Sequence, residues 1–189
     1  MDSEYRNQIV QKRAQLQLRI RFDDFFKTYV EPFTEILDEL LHAQIKYHIV
    51  SLRFVPSEFQ SLFMEKFQNE PFAKYSLSRV ETVMGEKVME SLIDVFPNKH
   101  SSRYFPDLSV VGSFADLISV LTELIHEHDV YICWIQYPFL LEIDFQDLVQ
   151  KIKEESLDCW FEDAVVFPKD YSWVIVYHAV EDEWLFGKR

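Results

Sequence analysis

Glycine is scarce in this chain. Gly85, Gly112 and Gly187 are the only three, and no two lie near each other. A P-loop or dinucleotide-binding turn needs clustered glycines, so that backbone amides can approach phosphate. Neither can be built here. The G-x-S-x-G elbow of the α/β-hydrolases is also missing. Cysteine is scarcer still. Cys133 and Cys159 each sit beside a Trp in an apolar stretch, with no C-x-x-C spacing. Two buried free thiols are expected rather than a disulfide or zinc pair. No H-E-x-x-H occurs, and no lysine follows an Asp or Glu by two positions. The standard zinc-protease and restriction-type nuclease patterns are therefore absent.

Long apolar runs are missing too. The longest, Val130–Ile135, is the length of a strand and far short of the roughly 18 residues that span a bilayer. Residues Met1–Arg6 contain no apolar h-region, so no secretory leader and a cytoplasmic location are expected. Positive charge is sparse in one half only. Residues 1–100 carry 13 Lys/Arg against 15 Asp/Glu, whereas residues 101–189 carry 6 against 17. Most of the net charge of −13 thus lies in the second half. Such a field repels nucleic acid and anionic lipid, so neither is an expected partner. It attracts a basic protein and speeds encounter with it. Plain solubility is the competing explanation.

Aromatic side chains are plentiful: 17 Phe, 9 Tyr and 4 Trp. A chain of this length buries about 70% of its unfolded surface, enough for a core without staples. One α+β domain over residues 1–189 is expected. A weak boundary falls in the 96–113 stretch, where Pro97, Asn98, Ser101, Ser102, Pro106 and Gly112 suggest a loop.

Residues 3–43 read as helix, with Phe22, Phe26, Tyr29, Phe33, Ile36 and Leu40 on one face and Pro32 as a break. Residues 45–55 have strand composition. Ser57 and Ser78 each open a capping-box pattern before further helices. Ser113 caps a helix reaching about Glu127. Val130–Gln136 reads as a central strand. Pro138–Ile143 extends or re-enters the sheet, and Asp144 caps a helix to about Glu154. Ala164–Phe167, Ser172–His178 and Trp184–Phe186, joined by short polar turns, form a C-terminal β-meander. Helices first and strands last predict N-terminal helices packed on a mostly antiparallel sheet.

Candidate sites follow from charge. Glu142, Asp144, Asp147, Glu154, Glu155, Asp158, Glu162 and Asp163 are the carboxylates expected to meet a basic partner. Acid–base work by Glu142 with Asp144, by Glu162 with Asp163, or by Glu181 to Glu183 is conceivable. Each pair has a simpler role as a cap, loop or turn. His126 and His128, joined by His178, suggest a metal site. Histidines in the last turn of a helix explain the first two as well. The expected function is a non-enzymatic protein-binding module without a cofactor, for example a toxin-neutralising immunity protein. The alternatives are a metal-dependent hydrolase of a motif-poor class, or an adaptor subunit using the Phe22–Leu40 stripe.

Overall fold

The computed structural model describes residues 3–52, 55–75, 77, 105–124, 126, 129–154 and 163–189. Two helices come first, α1 (Ser3–Tyr29) and α2 (Phe33–His42), joined by a turn. Pro32 stands at the start of α2, where its missing N–H breaks no helical bond. Phe22, Phe26, Phe33, Ile36 and Leu40 are buried, as their spacing predicts. Tyr29 is not. It is exposed and Val30 is buried in its place, because the break at Pro32 changes the helical phase just there.

Strand β1 (Tyr47–Leu52) follows. A 3₁₀ turn, Ser57–Phe59, then leads into α3 (Gln60–Phe67). The capping box expected at Ser57 does not form. No side chain caps the turn, whose Phe59 N–H instead donates to the Pro56 carbonyl at 2.8 Å. The box at Ser78 and the helix after it lie outside the described residues. Helix α4 (Phe114–Glu123) stops short of Glu127. Its cap is the expected one: the Asp116 N–H donates to Ser113 Oγ at 3.2 Å. Helix α5 (Phe145–Lys153) is capped by Asp144.

Six further strands complete the sheet: β2 (Ser109–Val111), β3 (Asp129–Trp134), β4 (Phe139–Asp144), β5 (Ala164–Pro168), β6 (Trp173–His178) and β7 (Glu183–Lys188). Their order is β1-β4-β3-β5-β6-β7-β2, and every pairing is antiparallel. The fold is α+β, with N-terminal helices and a sheet that ends in the β5-β6-β7 meander. Strand β1, from the first half of the chain, joins that same sheet against β4. The 96–113 stretch is not loop throughout, since β2 adds to β7 at the far edge.

Successive strand residues point to opposite faces. On β6, Trp173, Ile175 and Tyr177 belong to the core shared with the helices, while Val174 and Val176 pack on the other side. On β3, Ile132 and Trp134 face the helices and Cys133 faces away. Burial on both faces is why Val130–Ile135 is apolar almost throughout. Cys133 is buried; Cys159 lies outside the described residues.

Aromatic rings join the helices to the sheet. Phe33 stacks on Phe139, with centroids 4.8 Å apart, and meets the edge of Trp134 at 5.5 Å. On the second face, Phe105 and Leu108 pack against β7. Gly187 allows that approach. A Cβ there would lie 2.7 Å from Leu108 Cδ2 and 3.4 Å from Phe105 Cβ. Among the described residues, no helix is long and apolar enough to cross a membrane.

Candidate functional site

The antiparallel register assembles a charged corner where β3 begins and β4 ends. Asp129 pairs with Asp144, and Tyr131 with Glu142. Across β3, Tyr131 pairs with Phe167 and Val130 with Pro168. Lys169, the next residue after β5, thereby comes level with Asp129. Its Nζ lies 2.9 Å from Glu142 Oε1 and 3.6 Å from Asp129 Oδ2. Two carboxylates, Asp129 and Glu142, thus share one ammonium group, and Asp144 stands opposite Asp129 in the register. Partial burial opposes the charge on Lys169, but the hydrogen bond it donates to Glu142 and the charges of Glu142 and Asp129 outweigh it. Its pKa is raised, and it stays a cation.

Rings border this corner. Phe167 lies 5.6 Å from Tyr131 on one side and stacks at 5.6 Å on Tyr171 on the other. Tyr171 holds a left-handed backbone, φ 58°, which costs a non-glycine residue about 1 kcal/mol. The turn is held by Tyr171 N–H donating to the Pro168 carbonyl at 3.1 Å, and by Ser172 N–H donating to Asp170 Oδ1 at 3.0 Å. Burial, then the neighbouring Tyr131, raises the pKa of the Tyr171 phenol.

The remaining predicted carboxylates do not all gather here. Asp144 has a local task as well, its Oδ1 accepting the N–H groups of Gln146 at 2.9 Å and Asp147 at 3.1 Å. Asp147 and Glu154 ride on α5, which buries Phe145, Leu148, Val149 and Ile152 in the helix-side core. They therefore sit on the opposite side of the sheet from Glu142. Glu154 bonds Gln150 at 2.7 Å and Lys151 at 3.1 Å, and these contacts lower its pKa. Asp163 is at the other end of β3, where its carbonyl accepts the Ile135 N–H at 3.0 Å and its carboxylate the Ala179 N–H at 2.7 Å. Glu155, Asp158 and Glu162 lie outside the described residues.

His178 is half-buried near the Asp163 end, opposite Glu183. His126 is exposed beyond α4, and His128 lies outside the described residues. Among the described residues, no three His, Cys, Asp or Glu side chains converge as metal ligands. The Phe22–Leu40 stripe is taken up by the core, except for Tyr29. A cleft of about 410 Å³ between α1 and α3 has Lys66 in its lining, 4.0 Å from the Phe26 ring centre and 3.8 Å from Asp23.

Asp129, Lys169, Tyr131 and Tyr171 are the corner residues that sequence reasoning missed as site members. Neither Asp129 nor Lys169 stands in a sequence pattern that links it to the other. Only the pairing of β3 with β5, some 35 positions apart in sequence, brings them together. Compared with protein-family models, curated proteins and solved structures, the chain matches none at a significant level.

Proposed function

We propose that this protein is a non-enzymatic binding module that receives a basic protein at the Asp129–Glu142–Asp144 corner. What supports the reading is one observation: Asp129 and Glu142 share a single lysine, next to Asp144 in the register and beside the half-buried rings of Tyr131 and Tyr171. An arginine from a partner would replace Lys169 at Glu142 and stack on a tyrosine face. The surrounding negative charge would steer such a partner in, with a strong dependence on salt. A toxin-neutralising immunity protein is one concrete form of this function.

The test is capture from source lysate at low and high salt, using the wild type and the Asp129→Lys/Glu142→Lys variant. Asp144 is left intact because it also caps α5. A basic protein held at low salt, shed at high salt and not held by the variant supports the proposal. If the variant holds the same proteins as the wild type, the corner is not the binding site.

A further inference from the structure

We infer that the N-terminal arm of α1 is a second docking surface, of opposite sign, for a single acidic helix of another protein. Between Tyr5 and Arg21 the chain has five cations, Arg6, Lys12, Arg13, Arg19 and Arg21, and no carboxylate. This arm is the basic exception in a chain of net charge −13. It is also where half of the exposed large apolar side chains among the described residues lie, Tyr5, Val10, Leu16 and Ile20. Tyr5, Leu16 and Ile20 are 56%, 61% and 52% exposed, too much for core residues.

Helical geometry orders these residues. At 3.6 residues per turn, Tyr5, Leu16, Ile20 and the half-buried Ile9 fall within an arc of about 60°, while Val10, 65% exposed, lies about 80° beyond its edge, past Arg6. That arc lies about 140° round the helix from the Leu18, Phe22, Phe25 and Phe26 side that meets the core. The stripe is therefore not a continuation of the core-facing side. Arg6 and Arg13 flank it on one side, Lys12 and Arg19 on the other. Among the described residues, none of these four forms an ion pair, while Arg21 is 3.2 Å from Glu58.

The width of the stripe selects the kind of partner. A face that covers a core spans about 100° or more, whereas a narrow stripe is the seam between two helices. The flanks select its sign. In a two-helix seam the flanking positions meet across the interface. Pairing with a second arm would set Arg or Lys against Arg or Lys at every flank. Exposed large apolar residues elsewhere, Tyr29, Leu41, Val110 and Val180, are scattered over separate elements. They make no groove for the arm on a second copy. The fitting occupant is a helix of a different protein, with an apolar seam bordered by Glu or Asp.

The probe is a labelled peptide of about four heptads, with Leu at the seam and Glu at the flanks. It is titrated into the full-length protein by fluorescence anisotropy. The same peptide with Lys flanks is the control. Saturable binding of the acidic peptide alone is expected, weakening at least about tenfold between about 50 and 300 mM salt. Leu16→Asp/Ile20→Asp should abolish it without moving the thermal midpoint, because both side chains are exposed. No binding, equal binding of both peptides, or retention by the variant would overturn the inference. So would concentration-dependent self-association lost in the variant. Capture by phosphatidylserine-containing vesicles without peptide binding would assign the arm to a lipid surface instead.

Discussion

Phe33 offers the most direct test of how the helices are held to the sheet. It is fully buried at the start of α2. Its ring contacts Phe139, Trp134 and Tyr137 with centroids 4.8, 5.5 and 5.1 Å away. Phe33→Ala removes the ring and leaves a cavity, at a cost of about 3–5 kcal/mol. The orientation-dependent part of each ring pair, about 0.5–1.5 kcal/mol, lies within that range. Against a total stability of about 5–15 kcal/mol, this is a third or more in many cases. Phe33→Leu keeps most of the volume and should cost only about 1 kcal/mol. The assay is urea unfolding followed by tryptophan fluorescence, since Trp134 is one of the partners. The midpoint should fall while the slope stays constant. A double-mutant cycle of Phe33→Leu with Phe139→Leu should give a coupling of about 1 kcal/mol. A loss below about 1.5 kcal/mol for Phe33→Ala, or no coupling, would refute the docking of α2 on β3 and β4.

Two further outcomes follow from single hydroxyl groups. Among the described residues the buried Tyr47 hydroxyl has no hydrogen-bond partner, and burial, then the nearby Tyr75 and Asp38, pushes its pKa up. Leaving such a group unsatisfied costs about 1–3 kcal/mol, so Tyr47→Phe should stabilise by about 1 kcal/mol in urea; destabilisation would count against this placement of the hydroxyl. The Tyr177 hydroxyl donates to Asp182 Oδ1 at 2.9 Å. Burial, then Asp182, raises its pKa to about 12 from an ordinary 10.0. The unfolded chain therefore loses this proton first as pH rises. The contribution is complete below about pH 10 and falls away between about 10 and 12. The stability difference between wild type and Tyr177→Phe should shrink over that window, and a difference that stays flat from pH 9 to 12 would refute the linkage.

Much of the secondary structure was legible locally. The strand at Ser172–His178 was legible from its composition, and in the structure its residues divide between two faces, because neighbouring side chains on a strand must diverge. Ser113 and Asp144 marked helix starts, because a short oxygen-bearing side chain satisfies the free N–H groups of the first turn. The Ser57 pattern misled for a related reason. A capping box needs an extended residue at the cap, and the chain after Pro56 turns directly into 3₁₀ geometry. The cationic arm was equally open to reading, since five cations and four spaced apolar residues are local facts. What hid it was the stronger aromatic signal downstream, which made α1 look like one core helix.

By itself, the sequence determined the class of fold, the two-sided burial of β3, and the uneven charge along the chain. Each depends on spacing within a dozen residues or on simple counting. Tertiary structure decided that β1 joins β4, that β2 closes the far edge beside β7, and that Lys169 stands between Glu142 and Asp129. These arrangements rest on pairings between distant strands. Several registers bury apolar residues about equally well, and the choice among them is made by how all the strands and helices fit at once.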